Sequence, residues 1–259
     1  MADRRAPIAS TPATIARRAR TALAVLSQAV ALALPITPFV ALVAAGPAAA
    51  QVGPSAPEAA AYRGLHAAAW RGDAAAIRQL AAGGGASALE ARDGNGRTPL
   101  HVATFARHPE AIRALAQAGA RLDAMDNDRY DAVTIAAVAD DEASLRMLLS
   151  LGASAKRVTS RYDGTALIAA AHLGHDGVVR QLVAAGAPLD HVNNLHWTAV
   201  IEAIVLGDGG PRHQATLKVL VDAGANLQLA DRNGRTPLQL ARQRGYAAMV
   251  KMLEAAGAK

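Results

Sequence analysis

The chain has 259 residues, of which 52% are hydrophobic but only 3% aromatic, and its formal net charge is +6. It contains no cysteine, which excludes disulfides, thiolate metal sites and cysteine nucleophiles. Residues 1–50 hold five of the 27 basic residues and one of the 21 acidic ones, so the rest of the chain carries 22 against 20, a net of +2. Most of the basic excess therefore lies in this first segment, and we expect no nucleic-acid partner.

The first 50 residues are predicted to be an export signal. An arginine-rich stretch over residues 1–20 precedes an apolar run from Thr21 to Leu34, and the segment ends in small residues. This order of basic, apolar and small residues is typical of a signal peptide, here with cleavage after Ala50. We therefore expect the mature protein in the periplasm or secreted, with no membrane contact once the signal is removed.

An uncleaved membrane anchor is the alternative for this segment. Residues 21–45 are long enough to span a bilayer, but two prolines within them argue against one continuous helix. Residues 51–61 follow as a predicted linker. In this linker Ser55 and Glu58 have the spacing of a capping box, which could begin the first helix early.

A regular grid of Gly-Ala pairs runs through the rest of the chain. The pairs recur at intervals of 34, 33, 34, 38 and 33 residues. An apolar stripe at helical spacing precedes each pair, such as Ile112 and Leu115 in the second repeat. The glycine that follows can adopt the left-handed conformation that closes a helix. The six glycines are Gly85, Gly119, Gly152, Gly186, Gly224 and Gly257.

A second signature, upstream of each stripe, marks the start of another helix. Its clearest copies are Thr-Pro-Leu-His-Val-Ala from Thr98 and Thr-Pro-Leu-Gln-Leu-Ala from Thr236. The Thr can cap the helix, the Pro fits its first turn, and the Ala lets a neighbouring helix approach closely. Asp131 replaces Thr in the third copy and preserves the capping chemistry. Each repeat is thus predicted to contain two short helices.

This pattern resembles the ankyrin repeat over about residues 62–259. The runs Asp93–His101 and Asp231–Leu238 carry the resemblance most clearly, because they look like the turn and helix start of that family. The resemblance implies an all-α solenoid of about six helix-turn-helix repeats with short β-hairpin fingers. Stacked repeats would form a curved solenoid with a concave face made of fingers and inner helices. The repeats are expected at residues 62–92, 93–125, 126–158, 159–192, 193–230 and 231–259.

Three repeats depart from the family pattern. The first lacks a finger and begins at its inner helix, and the fourth has a shortened turn before Thr165. In the fifth, His196 stands where a turn glycine is expected, and the sequence leaves its conformation open. The fifth repeat is also longer by about five residues, and residues 207–213 form this insertion.

Eight histidines and an acidic stretch raise the question of a metal or catalytic site. His172 and His175 are three residues apart but have no third ligand close in sequence. Asp126 and Asp131 belong to a stretch that lacks the glycine and glutamate of a calcium-binding loop, and both have ordinary roles in a turn and a helix cap. No catalytic triad or phosphate loop can be placed. We expect no metal, no cofactor and no enzymatic activity.

Arg, Tyr and Trp are enriched at binding hot spots, and they recur at the edge of the predicted fingers. Equivalent positions of the inner helices and the insertion add further candidates. The predicted partner-binding residues are Arg97, Tyr130, Tyr162, Trp197, Arg235, Trp70, Phe105, Asp208, Arg212 and His213. The alternatives are that the aromatic side chains pack between neighbouring fingers and that the insertion is a neutral variation in length.

The sequence therefore predicts an exported, monomeric scaffold that binds another protein on its concave face. A dedicated inhibitor or immunity-type partner of an extracytoplasmic enzyme is the alternative. Both functions would use the same surface, so the fold by itself does not separate them.

Overall fold

The computed structural model describes residues 53–259, so the predicted signal peptide and its cleavage point lie outside the described residues. Among residues 53–259, no helix has both the length and the apolar character that a membrane span needs. The elements are α1 (Ala56–Ala61), α2 (Gly64–Arg71), α3 (Ala74–Leu89), α4 (Pro99–Phe105), α5 (Pro109–Gln117), α6 (Ala132–Val138), α7 (Glu142–Ser150), β1 (Val158–Thr159), β2 (Gly164–Thr165), α8 (Ala166–Leu173), α9 (Asp176–Ala184), α10 (Ala199–Val205), α11 (Pro211–Asp222), α12 (Pro237–Gln243) and α13 (Ala247–Ala255).

The helices from α2 onward form two layers. The inner helices α2, α4, α6, α8, α10 and α12 contact one another in succession. The outer helices α3, α5, α7, α9, α11 and α13 do the same behind them, and each packs on the inner helix of its own repeat. Each repeat therefore packs mainly on its neighbours, which is the architecture of a helical solenoid. The all-α solenoid of six repeats is confirmed.

Alanine allows the inner helices to approach one another closely. The sixth residue of the helix-start signature is Ala in all six repeats, and each of these side chains has no exposed area. Larger side chains of the outer helices, such as Ile112 and Leu145, are equally buried and fill the space between the layers. The six buried alanines are Ala68, Ala103, Ala136, Ala170, Ala203 and Ala241.

The inner helices begin as the helix-start signature predicts. Side-chain oxygens of Asp131, Thr165 and Thr198 accept hydrogen bonds from the backbone N–H group three residues ahead. Thr236 does the same for Gln239, whose Oε1 accepts from the Thr236 N–H at 3.0 Å. The glycine of each Gly-Ala pair has a positive φ, between 62° and 100°. Five of the six follow an outer helix, whereas Gly85 lies at a kink within α3. Local signals thus fix where most helices start and stop.

The fingers contain less strand pairing than the sequence predicts. Within residues 53–259, only the fourth repeat has paired strands, with Val158 opposite Thr165 and Thr159 opposite Gly164 in antiparallel register. This is the repeat whose turn is shortened. Of the β-hairpin fingers expected in the second to sixth repeats, one is therefore realised as paired strands within the described residues.

A single side chain closes the turn of the other fingers. In the second repeat, Asp93 Oδ1 accepts hydrogen bonds of 2.9 Å from the backbone N–H groups of Asn95 and Arg97. Because the turn satisfies these N–H groups locally, they do not pair with a second strand. The same two bonds recur at Asp126, Asn193 and Asp231.

Three segments differ from a plain repeat. Helix α1 lies within the predicted linker and is capped by the box that Ser55 and Glu58 form. His196 has a φ of 64°, so it takes the left-handed conformation of the glycine that it replaces. The insertion forms a loop over residues 207–210 and lengthens α11 to 12 residues, against nine in α5 and α7.

Candidate protein-binding surface

The aromatic residues predicted at the finger edge are half-buried. Tyr130, Tyr162 and Trp197 are each partly exposed, and Trp197 also packs against the core. The turn bonds described above hold the backbone N–H groups of Tyr130 and Trp197. Burial raises the pKa of the Tyr130 phenol above its ordinary value of 10, in keeping with a half-buried ring. These side chains leave part of their rings open to a partner while their backbones are fixed.

The two arginines predicted at the same edge are bonded within the protein. Arg97 is only 2% exposed, and its guanidinium lies 2.6 Å from Glu58 Oε1 and 2.9 Å from Asp93 Oδ2. Arg235 Nη2 lies 2.7 Å from Asp231 Oδ2, but 42% of the Arg235 side chain is exposed. Arg97 is thus withdrawn from the surface in this structure, whereas Arg235 stays accessible.

Trp70, Phe105 and His172 occupy one position of three inner helices, seven residues after the helix start. Val138 and Val205 fill this position in the third and fifth repeats. All five side chains are partly exposed on the layer of inner helices. We call this row the inner-helix floor, and it is mainly apolar.

Two leucines that are not among the predicted partner-binding residues extend the inner-helix floor. Leu173 and Leu206 follow His172 and Val205 in the chain, and they are 38% and 39% exposed. Their positions are equivalent in adjacent repeats. The inner helices α8 and α10 pack on each other, so the two leucines lie in stacked repeats. Grouped exposed apolar side chains mark interaction surfaces more often than scattered ones do. Aligning the repeats on their helix starts would have found them, because the other repeats carry Ala or Arg at this position.

A buried carboxylate lies beneath this floor. Glu202 of α10 is 4% exposed, and its Oε1 accepts a hydrogen bond of 3.0 Å from Asn193 Nδ2. Its Oε2 lies 3.2 Å from Nδ1 of His172, whose side chain is 26% exposed. The equivalent residue is apolar in the five other repeats. Glu202 therefore fixes the ring of His172 from below.

The insertion folds back onto the preceding repeats. Arg212 of the fifth repeat lies 2.6 Å from Asp140 of the third, and its Nε donates to the carbonyl oxygen of Gly174 in the fourth at 3.1 Å. The His213 ring bonds to Asp208 at 2.9 Å and to a backbone carbonyl of the fourth repeat at 3.0 Å. Arg212 and His213 thus make their polar contacts within the protein, whereas the Asp208 side chain stays 78% exposed.

Three further histidines join neighbouring repeats. His66 and His101 bond through Nε2 to a backbone carbonyl of the next repeat, at 2.9 and 3.1 Å. His175 bonds through Nδ1 to Ala137 O of the preceding repeat at 2.9 Å. These two bonds give His66 and His101 a structural role between neighbouring repeats. In the part of the chain that the structure describes, no three His, Asp or Glu side chains gather as a metal ion needs.

Comparison with known proteins places these features in one family. Family models of ankyrin repeats match residues 65–159, with three copies, as well as residues 162–194 and 211–254. The ankyrin repeat protein YahD of Escherichia coli K12 is 35% identical over 167 residues. This match covers 64% of the present chain and 83% of YahD.

Solved structures agree with the family models. An ankyrin repeat domain from Acinetobacter baumannii is 46% identical with a TM-score of 0.70, covering 75% of this chain and 98% of that one. A chain in the complex of a predatory endopeptidase from Bdellovibrio bacteriovorus with an immunity protein has a TM-score of 0.62 over 75% of this chain and 98% of its own length. At 23% identity that likeness is one of fold. Ankyrin repeats are scaffolds for protein–protein interaction, and they bind on extended concave surfaces. The chain belongs to the ankyrin repeat family.

Proposed function

We propose that residues 51–259 form an exported adaptor that holds another protein on its concave face. The observation that carries this proposal is the inner-helix floor, on which Leu173 and Leu206 are more than a third exposed. The fingers of the same two repeats carry Tyr162 and Trp197, which are partly exposed. Covering such apolar and aromatic side chains removes them from water and favours association.

Export rests on the order of residues in the first 50 positions. A basic stretch, an apolar run and small residues before Gln51 are what an export signal requires. The mature chain then carries a net charge of only +2. A nearly neutral protein suits a partner that is bound through shape and apolar contacts more than through net charge.

A dedicated inhibitor of an extracytoplasmic enzyme is the second candidate. The Bdellovibrio structure joins an endopeptidase to an immunity protein and contains a chain of this fold, which supports such a use of the fold. At 23% identity it transfers no residue to this chain. The mainly apolar floor favours the adaptor, because we expect a dedicated inhibitor to present a strongly charged face.

Replacing both Tyr130 and Trp197 with Ala should weaken the capture of a partner from a periplasmic extract. Truncating a hot-spot aromatic costs on the order of 2 kcal/mol, so we expect the affinity to fall at least tenfold. The solenoid is a compact unit of its own. Immobilised residues 51–259 can therefore serve as bait, with mass spectrometry to identify the retained protein and calorimetry to measure its affinity.

Leu80→Ala is the matched control for this experiment. Leu80 is 41% exposed but belongs to the outer helix α3, away from the inner-helix floor. The control should capture the partner as the wild type does, and circular dichroism should show that both variants keep their helices. Undiminished capture by the double variant would contradict the part of the proposed surface that the finger aromatics supply. Loss of a captured enzyme's activity on addition of the chain would favour the inhibitor.

Expression of the full chain in a Gram-negative host should give a periplasmic protein that begins at Gln51. Cell fractionation followed by N-terminal sequencing measures both points. Ala50→Arg should block cleavage, because signal peptidases accept small residues at the cut, and the uncut precursor should accumulate at the membrane. Full-length protein in the cytosol would refute export, and uncut wild-type protein in the membrane fraction would identify an anchor.

A further inference from the structure

The segment before the first repeat lies against the finger of the second repeat. Glu58 of α1 places its Oε1 2.6 Å from both Arg97 Nη2 and Asn95 Nδ2. Tyr62, at the end of α1, donates its hydroxyl to Asp93 Oδ2 at 2.7 Å. The carboxylate of Glu58 thus sits between a guanidinium and a carboxamide of the finger.

The same segment also covers an inner-helix position. A β-carbon added to Gly53 would lie 3.2 Å from Cδ1 of Phe105, so the backbone at Gly53 runs in close contact with that ring. The guanidinium carbon of Arg97 lies 5.9 Å from the centre of the same ring. Residues 53–58 therefore cover two of the predicted partner-binding residues, Arg97 and Phe105.

Little apolar packing holds α1 in place. The helix has six residues, and none of them is buried. A groove of about 480 Å³ stays open between α1 and α2, lined by alanines of both helices and by Tyr62, Trp70 and Arg71. Hydrogen bonds from Ser55 and the nearby charge of Arg97 lower the pKa of Glu58, so the polar contact is fully charged at neutral pH. Tyr62, which is 9% exposed, anchors the segment at its far end.

The guanidinium of Arg97 retains unused hydrogen-bonding capacity. Its side chain is 3% exposed, and its Nη1 has no hydrogen-bond acceptor. Buried N–H groups of a charged side chain are normally satisfied, so an unmatched one calls for an explanation. A carboxylate with two free oxygens can bond a guanidinium at two nitrogens, whereas Glu58 reaches only Nη2 and gives its other oxygen to Ser55.

We propose that Asn95, Arg97 and Phe105 form a site for an acidic segment of the partner protein. Residues 53–61 fill this site in the free protein as an internal stand-in, and the partner displaces them. A partner carboxylate takes the place of Glu58 on Arg97 and Asn95, and the adjoining partner backbone takes the place of Gly53 on Phe105. The inference rests on the proposed adaptor function and adds the chemistry of one contact to it.

The chain itself supplies the probe for a test. A fluorescent peptide of residues 51–62, with both ends blocked, should bind residues 51–259 that carry Glu58→Lys, because the new charge is repelled by Arg97 and frees the site. The tethered segment competes in the wild type at millimolar effective concentration, so the peptide should bind the variant at least tenfold more tightly. The same peptide with Glu58→Gln should lose this binding. Fluorescence anisotropy measures all three affinities.

Hydrogen exchange provides a second measurement on the same proteins. The amides of α1 should exchange at least tenfold faster in the Glu58→Lys protein, while those of α4 to α13 stay unchanged. Glu110→Lys is the matched control, since Glu110 is 62% exposed on the outer helix α5. It should leave both readouts at wild-type values.

Three outcomes would overturn the proposal. They are unchanged exchange of α1 in the Glu58→Lys protein, no peptide binding to that protein, and equal binding of the two peptides. These measurements use no partner, so they can contradict the displaced-segment site while the capture experiment with Tyr130 and Trp197 still supports the adaptor. In the same way, the capture experiment can fail while these measurements support the site.

Discussion

Replacing His101 with Gln should make the protein lose much less stability in mild acid. His101 has no exposed area, and its Nδ1 accepts a hydrogen bond of 3.1 Å from the Thr98 N–H. Its Nε2 lies 3.1 Å from Tyr130 O and donates to it. Burial lowers the pKa of His101 to about 4 from the ordinary value of 6.5, because a charged imidazole is poorly solvated there.

The sign of the effect follows from proton uptake. Between pH 6.5 and about 4 the unfolded chain binds a proton at His101 that the folded chain does not, so the free energy of unfolding falls as the pH falls. At pH 4.5 this amounts to roughly 2 to 3 kcal/mol. Gln cannot take up that proton. The free energy of unfolding of the variant should therefore not fall by this amount as the pH is lowered.

Gln is a suitable replacement because the chain already uses it at the equivalent position. In the sixth repeat, Gln239 Oε1 accepts from the Thr236 N–H at 3.0 Å, as His101 Nδ1 does from Thr98. At pH 7.5 the variant should be less stable than the wild type by about 1 kcal/mol, from imperfect packing and hydrogen bonding. Urea titrations at pH 7.5 and 4.5 should show this gap closing or reversing. A gap that stays constant would contradict the argument.

Changing Asn193 to Asp should destabilise the protein by roughly 2 to 4 kcal/mol. The Asn193 side chain closes the fifth finger and donates through Nδ2 to Glu202 Oε1 at 3.0 Å. An Asp would keep the turn but place a second carboxylate against a buried one. Two like charges at this distance are strongly unfavourable, or one of them must take up a proton.

The other repeats supply the rescue experiment. Where Asp closes the finger, the position equivalent to Glu202 is apolar, as with Asp231 and Leu240. The double variant Asn193→Asp with Glu202→Leu should therefore recover to within about 1 kcal/mol of the wild type. Thermal and urea unfolding of both single variants and the double variant complete the cycle. A repulsion between two carboxylates here would be contradicted by either of two results: equal stability of Asn193→Asp and the wild type, or no recovery in the double variant.

The repeat grid and the helix ends could be predicted because their causes are local. A Thr or Asp before an apolar run caps a helix wherever it stands, and a Gly after the run closes one. His196 shows how far such local patterns reach. The sequence identifies its place in the turn, but only the structure shows that its φ is positive. Strand pairing was over-predicted, because Asp93 and its equivalents satisfy the finger N–H groups within the turn.

The site residues depended on contacts that no local pattern reveals. Arg97 has the sequence context of an exposed fingertip, yet Glu58, which precedes it by 39 residues, bonds to it and α1 lies beside it. The glycine-rich insertion predicts that Arg212 and His213 contact a partner, but in the structure both bond to earlier repeats. Glu202 and Leu206 were visible only as departures from the other repeats at the same grid position. A column-by-column comparison of the six repeats is therefore more informative here than the search for motifs.

The contacts of Arg212 join repeats that do not stack directly on one another. A stack whose repeats touch only their neighbours behaves as a spring, and it opens at whichever junction is weakest. Arg212 links the fifth repeat to Asp140 of the third and to Gly174 of the fourth, across the helix-connecting loops. Repeats three to five therefore share these polar links in addition to their stacking contacts, so separating the fifth repeat from the fourth also breaks its contact with the third. The exposed leucines of the inner-helix floor, Leu173 and Leu206, belong to the fourth and fifth of these linked repeats.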